Sequence, residues 1–170
     1  MKKHFLRPVF LIALSMAGWT GCNKHDKLFL RLDSGETGID FNNLITESDS
    51  VNILTSEFVY NGGGVGVGDF NGDGLQDLYF TGSQVENKLY LNRGTFTFED
   101  VTAKANAQKH PGQWSSGINV IDINRDGKAD IYVCNTFQKD PEKRKNLLFV
   151  NQGNDKEGIP HFEEMAQAYG

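Results

Sequence analysis

From residue 59 onward, short apolar stretches alternate with turns rich in glycine, asparagine and aspartate. The apolar stretches contain many β-branched and aromatic residues, and none sustains the periodicity of an amphipathic helix. This pattern predicts an all-β fold of short strands and excludes a helical solenoid. Ahead of it, residues 28–58 form a lead-in of short apolar runs between polar residues, for which we expect short strands and loops.

The strand pattern occurs twice, around a motif that returns 53 positions later. Residues 69–77 and residues 122–130 both read D-x-N-x-D-G-x-x-D. The flanking residues also repeat, with 64–68 matching 117–121, 78–80 matching 131–133, 87–94 matching 146–153, and 98–102 matching 162–166. Because the offset grows along the chain, we expect surface-loop insertions in the second copy, around residues 138–145 and 154–160.

Each copy holds four strand-like segments, which is the content of one β-propeller blade. We therefore predict two four-stranded antiparallel blades, blade 1 over residues 59–105 and blade 2 over residues 106–170. In the first strand of blade 1, glycines alternate with Val65 and Val67, so one face of that strand carries no side chains. Such a face allows another sheet to approach closely.

The repeated motif supplies hard oxygen donors at alternating positions. In loop 1 (residues 69–77) and loop 2 (residues 122–130), we predict that these donors converge on one Ca²⁺ ion each. The predicted ligands are Asp69, Asn71, Asp73, the carbonyl of Leu75 and Asp77, and then Asp122, Asn124, Asp126, the carbonyl of Lys128 and Asp130. Three carboxylates so close together repel one another unless a cation neutralises them. A plain Asn/Asp/Gly turn is the alternative, and it explains one copy better than two equivalent ones.

An EF-hand is disfavoured for both loops. Its calcium loop requires a glutamate at position 12, where Phe80 and Val133 stand in this chain. The flanking segments are also strand-like, whereas an EF-hand loop joins two helices.

The N-terminus has the layout of an export signal. A basic start and an apolar run precede a short stretch of small residues that ends at Cys22. Residues 19–22 resemble a bacterial lipobox, with Trp19 where leucine is usual. We predict a lipoprotein signal peptide over residues 1–21 and a polar tether over residues 22–27 that begins with a lipid-modified Cys22. The expected location is the bacterial cell envelope, at the outer membrane; an ordinary cleaved signal peptide and an uncleaved anchor are the alternatives.

Composition narrows the classes of function. The net charge is −5 and Lys and Arg are not in clustered excess, which argues against a general nucleic-acid binder. The adjacent acids Glu99–Asp100 and Glu163–Glu164 are candidate acid–base pairs, but neighbours on a strand face opposite sides of the sheet. The sequence therefore predicts a protein that is not an enzyme.

From about Val59 to its C-terminus, the chain resembles FG-GAP/VCBS repeats, the calcium-loop blades of integrin α-subunit propellers. The resemblance rests on both loop motifs. The stretches Tyr60–Val65 and Trp114–Gly117 add a similarity to secreted bacterial ASPIC/UnbV-type repeat proteins. The resemblance implies a β-propeller of about seven blades that serves calcium-dependent binding at the cell exterior.

Two blades cannot close a propeller ring, which needs at least about four. We expect further blades in the same chain or in another, so that the 170 residues are a piece of a longer polypeptide or a stub with exposed strand edges. The leading hypothesis is a calcium-binding repeat module that binds a protein or a glycan. One alternative is the N-terminal fragment of an exported carbohydrate-active hydrolase or lyase whose catalytic residues lie beyond Gly170. In another, calcium only holds the blades together.

Overall fold

A computed structural model describes residues 28–170. The expected signal peptide (residues 1–21), the lipidation site Cys22 and the tether (residues 22–27) lie outside the described residues. Contacts divide the chain into residues 1–31 and residues 32–170, and the fold below is that of the second unit. Over the described part of the chain, no helix combines the length and the apolar character needed to cross a membrane.

Two four-stranded antiparallel sheets account for most of the second unit. The first is β1 (Val65–Gly68), β2 (Asp77–Phe80), β3 (Lys88–Asn92) and β4 (Phe98–Asp100); the second is β5 (Trp114–Ile121), β6 (Asp130–Thr136), β7 (Leu147–Asn154) and β8 (Pro160–Glu164). In each sheet the strands lie side by side in chain order, and every neighbouring pair is antiparallel. The predicted all-β class with two four-stranded antiparallel blades is confirmed.

The lead-in contains turns and one helical turn, α1 (Ser34–Thr37), but no strand among its described residues. Its single ladder contact is an isolated bridge between Ser48 and Val51. Side chains compete for its backbone groups, since the Asn52 Oδ1 accepts from the N–H groups of Leu54 and Thr55. Of the short strands and loops expected there, the loops are present and the strands are not.

The glycine face of β1 packs directly against blade 2. A Cβ added at Gly66 would lie 2.6 Å from Ile118 Cδ1, and one added at Gly68 would lie 3.0 Å from Val120 Cγ1. Both distances are shorter than ordinary van der Waals contact, so a side chain at either position would force Ile118 or Val120 to move. The predicted close approach at the glycine face is therefore confirmed.

The core lies between the two sheets. We call the faces that meet here the near faces of the blades, and the opposite ones the far faces. Tyr79 and Leu89 of blade 1 and Val133 and Phe149 of blade 2 belong to one buried cluster, and the ring centroids of Tyr79 and Phe149 are 6.4 Å apart. Because a single core spans both sheets, the two blades stabilise each other.

The expected insertions in blade 2 lie on its connections. Residues 137–146 form the loop between β6 and β7, with a 3₁₀ turn at Glu142–Arg144. The second insertion lengthens the β7–β8 hairpin, in which Asn154 pairs with Pro160. Trp114 begins β5, the first strand of blade 2. Its side chain is 5% exposed and stacks on Phe137, with the ring centroids 4.2 Å apart.

Candidate metal-binding loops

Loop 1 joins β1 to β2 and folds around its own acidic side chains. Asp69 Oδ1 accepts from the N–H groups of Gly72 and Asp73 at 2.7 and 3.1 Å, and its Oδ2 accepts from Gly74 at 2.8 Å. Asn71 Oδ1 also accepts from the Asp73 N–H, at 3.1 Å. Gly72 and Gly74 both have positive φ, which turns the chain sharply enough for these bonds to form.

Loop 2 joins β5 to β6 and repeats three of these four hydrogen bonds. Asp122 Oδ1 and Oδ2 accept from the N–H groups of Asp126 and Gly127 at 3.0 and 2.9 Å. Asn124 Oδ1 accepts from Asp126 at 3.1 Å. The position of Gly72 is taken by Arg125, whose φ of 61° lies in the left-handed region that disfavours side chains. The sequence motif therefore sets the same local geometry in both blades, even where a glycine is missing.

The ninth residue of each loop is buried at the start of the following strand. Asp77 Oδ2 accepts from the Phe70 N–H and its Oδ1 from the Asn92 N–H, both at 2.8 Å. Asp130 accepts in the same way from Ile123 at 2.9 Å and from Asn151 at 2.8 Å. Both carboxylates are fully buried. These residues thus tie the base of each loop to the third strand of its blade.

Burial raises the pKa of Asp77 to about 6. The hydrogen bonds from Asn92 and Phe70 lower this pKa, and the negative charges of Asp73 and Asp69 raise it. The three predicted carboxylate ligands of loop 1 are thus close enough to influence one another's charge.

The loops differ at their seventh position. In loop 2 the Lys128 ammonium lies 2.7 Å from Asp126 Oδ2, and its hydrogen bond holds the pKa of Asp126 below its ordinary value. Loop 1 has Leu75 at this position, which provides no positive charge. Loop 2 therefore carries an internal cation, which would compete with a metal ion bound there.

The donor set of both loops fits a hard cation. Carboxylate, amide and carbonyl oxygens are the ligands that Ca²⁺ prefers, and no thiol or imidazole occurs in either loop. In residues 28–170, no three His, Cys, Asp or Glu side chains are grouped closely enough to form a metal site by themselves. A metal ion in these loops would thus also need the asparagine side chain and the backbone carbonyl, and the ligand set stays a prediction.

The two acids at the end of β4 are held in ion pairs. Arg93 Nη2 lies 2.7 Å from Glu99 Oε2, and Lys88 Nζ lies 2.5 Å from Asp100 Oδ2. The hydrogen bond from Arg93 lowers the pKa of Glu99. These contacts favour a charge-paired strand end over an acid–base pair.

Two sheets with equivalent acidic loops at the same end define a repeat protein built of β-propeller-type blades. The FG-GAP-like repeat model matches residues 45–133, which is more than half of the chain, and the chain belongs to this family. The matched range begins inside the lead-in, ahead of the expected start of blade 1.

Cartilage acidic protein 1 is similar to part of this chain. The human protein is 39% identical over 77 residues, which cover 45% of this chain and 12% of that protein. Cartilage acidic protein 1 of Mus musculus is 36% identical over 74 residues, covering 44% of this chain and 11% of that protein. The match therefore spans only about an eighth of the length of these relatives.

Proposed function

We propose that the protein is a calcium-binding β-propeller module of a bacterial lipoprotein, and that it binds a protein or a glycan without catalysis. One observation carries the calcium assignment, namely the two loops with the same donor positions and three equivalent internal hydrogen bonds. The bacterial export signal, the similarity to ASPIC/UnbV-type proteins and the lipid on Cys22 are parts of this proposal. So is a larger propeller, completed by further blades in the same or another chain.

Charge supports a cation in each loop. Three carboxylates lie within nine residues, and burying Asp77 or Asp130 beside two others is unfavourable while all remain ionised. A divalent ion would offset that repulsion and cross-link the loop. Calcium suits this role better than magnesium because it accepts a larger and more flexible set of oxygen ligands.

Thermal unfolding of the full chain tests the calcium assignment. Sites of the extracellular type bind calcium with Kd of roughly 0.1 to 1 mM, and at tenfold excess each stabilises the fold by about 1.4 kcal/mol. We expect a rise in Tm with calcium, its reversal by a chelator, and a smaller rise in Asp73→Ala and in Asp126→Ala. Asp49→Ala, which removes a carboxylate outside both loops, should keep the full shift. If calcium raises the Tm of none of these proteins, the assignment of calcium is wrong. If calcium raises the Tm of every variant equally, the assignment of the site to the two loops is wrong.

The anchor is tested in cells. A lipid-modified Cys22 should incorporate labelled palmitate and direct the protein to the membrane fraction. Cys22→Ser should lose the label, whereas Cys134→Ser should keep it. A wild-type chain without label would refute the lipoprotein assignment.

A further inference from the structure

A cleft of about 950 Å³ lies between the lead-in and blade 2. One wall consists of lead-in residues within the range 49–62, and the other consists of the start of β5, the end of β6 and the β6–β7 loop. We call this space the lead-in cleft. Its volume is at the upper end of the range for small-molecule sites, which is about 300 to 1,000 Å³. Both walls belong to the described chain, so the cleft is concave without a contribution from a neighbour.

Local hydrogen bonds order the lead-in wall. The Ser56 N–H donates to the Asn52 carbonyl at 2.9 Å, and the Asn61 N–H donates to the Phe58 carbonyl at 3.1 Å. Val59 is 1% exposed and anchors this wall in the protein interior. The Phe58 side chain lines the cleft and is 63% exposed. This wall therefore presents an aromatic ring that its own packing does not require.

An aromatic stack belongs to the opposite wall. Phe137, which stacks on Trp114, has a φ of 68°, a conformation that a bulky residue rarely adopts. A strained conformation persists only where the surrounding structure determines it, and the stack supplies such a constraint. The next residue, Gln138, donates its N–H to the Thr136 carbonyl at 2.7 Å and also lines the cleft. Each wall thus combines an aromatic ring with a side-chain amide.

Hydroxyl and amide groups supply most of the polar lining. The Thr136 hydroxyl donates to the Ser116 hydroxyl at 3.4 Å, and the Ser116 hydroxyl donates to the Cys134 carbonyl at 3.3 Å. Hydrogen bonds of this length are weak, so a bound ligand could replace them. Groups of the same kind line both walls, namely Ser50, Ser56 and Asn61 in the lead-in and Ser116, Thr136 and Gln138 in blade 2.

The ionic groups that line the cleft balance one another. The carboxylates of Asp49 and Asp140 are matched by the ammonium groups of Lys139 and Lys143. A site for an anionic ligand concentrates positive charge, and a site for a cation concentrates negative charge. Neither sign is in excess here, which favours a neutral ligand.

The apolar lining is aromatic. Val51 is the only aliphatic side chain among the described residues that line the cleft. Serine, aspartate and lysine, which do line it, are depleted at protein–protein interfaces. A sugar ring suits this combination better than a peptide or a lipid. Its C–H groups carry partial positive charge and pack against the negative face of an aromatic ring, while its hydroxyls bond to hydroxyl and amide groups.

We propose that the lead-in cleft binds a neutral saccharide. Phe58 and Phe137 contact the faces of its sugar rings, and Asn61 and Gln138 bond to its hydroxyl groups. The proposal rests on the proposed function, of which it specifies both the class of ligand and the site.

Trp114 provides a direct readout of binding. The other tryptophan of the chain is Trp19, in the expected signal peptide, so in the full chain carrying Trp19→Phe all tryptophan fluorescence comes from the cleft. The probes are neutral trisaccharides of glucose, mannose, galactose, xylose and N-acetylglucosamine. We expect at least one of them to change the fluorescence with a Kd of about 1 mM or below, and calorimetry with the same sugars to give the same Kd.

Four variants locate the bound sugar. Phe58→Ala should weaken binding roughly two- to tenfold by removing a ring contact. Gln138→Ala should weaken it roughly two- to tenfold by removing a hydrogen-bonding group. Phe96→Ala and Gln152→Ala are the matched controls, because both residues are exposed and lie outside the cleft, and both variants should keep the original affinity. The Tm of each variant verifies that it is folded.

Other outcomes overturn the proposal. Binding of none of the trisaccharides at about 10 mM, in fluorescence and in calorimetry, would exclude the saccharide. Equal affinity in Phe58→Ala, Gln138→Ala and the parent chain would place the sugar elsewhere. Tighter binding of a sulfated trisaccharide would contradict a neutral ligand. If a random tripeptide mixture changes the fluorescence and Phe58→Ala removes that change, while the sugars have no effect, the cleft is a peptide site.

The calcium assignment has a separate readout. A chain whose Tm does not respond to calcium but which binds a trisaccharide would contradict the calcium assignment alone. A chain whose Tm responds to calcium but which binds no trisaccharide would contradict the saccharide site alone.

Discussion

The close approach of the two sheets makes Gly66→Ala a sensitive probe of the blade contact. The added Cβ would lie 2.6 Å from Ile118 Cδ1 and 3.1 Å from Val120 Cγ2, against about 3.5 to 4 Å for an ordinary carbon–carbon contact. Overpacking of this kind costs about 1 to 3 kcal/mol, and the lower backbone entropy of alanine in the unfolded chain returns about 0.5 kcal/mol. We therefore expect a net loss of about 0.5 to 2.5 kcal/mol in the free energy of unfolding.

A double-mutant cycle attributes this loss to one pair of atoms. Ile118→Val removes the Cδ1 atom and alone should cost about 0.5 to 1.5 kcal/mol, because it leaves a small cavity. In the double variant the new Cβ occupies part of that cavity. The double variant should therefore lose about 1 kcal/mol less than the sum of the losses of the two single variants. Chemical denaturation followed by circular dichroism measures all four free energies. Gly35→Ala is the control, because a Cβ there meets nothing within 4 Å. Additive losses would refute the contact.

Three further predictions concern residues 38–46 of the lead-in, loop 2 and a buried lysine. Phe41→Ala should lower the free energy of unfolding by about 1 to 2 kcal/mol in chemical denaturation, because it removes the stack on Phe80. Lys128→Leu should tighten calcium binding in loop 2 by about two- to fivefold in calorimetry, and less at high salt; no change would mean that the lysine does not compete. Burial lowers the pKa of Lys109 to about 8 from 10.5, and the charge of Glu86 raises it. Between about pH 8 and pH 10.5 this lysine is protonated in the unfolded chain and neutral in the folded one. The free energy of unfolding should therefore rise with pH across that window, by on the order of 3 kcal/mol. Lys109→Met should flatten this rise, and an unchanged slope would contradict the assignment.

The repeat made the blades and loops predictable from sequence. The alternation of glycine and valine in β1 identifies the face that meets blade 2, because side-chain direction in a strand follows directly from position. The loop motif was equally informative, since its hydrogen bonds join residues only two to five positions apart. Local contacts of this kind depend little on the rest of the fold.

The contacts that residues 38–46 of the lead-in make with blade 1 could not be predicted in the same way. Asp40 contacts Tyr90, 50 positions away, and neither Asp40 nor Phe41 has a counterpart in the other copy. Such contacts depend on tertiary packing, which overrides local pattern. The backbone contacts of Asp77 and Asp130 were also missed, although the alignment of Asn92 with Asn151 contains a signal for them.

Asn151 connects the two loops across the contact between the blades. Its backbone N–H donates to Asp130 in loop 2, while its side-chain amide donates to the Phe70 carbonyl of loop 1 at 2.8 Å. Asn154 adds a second bond across the contact, to the Asn71 carbonyl at 2.6 Å. The equivalent Asn92 bonds only within blade 1, to Asp77 and to the Gln76 carbonyl. If loop 1 binds calcium, as we propose, the ion would order a loop whose backbone carbonyls also accept hydrogen bonds from blade 2. The loops would contribute to the cohesion of neighbouring blades as well as to the stability of each turn.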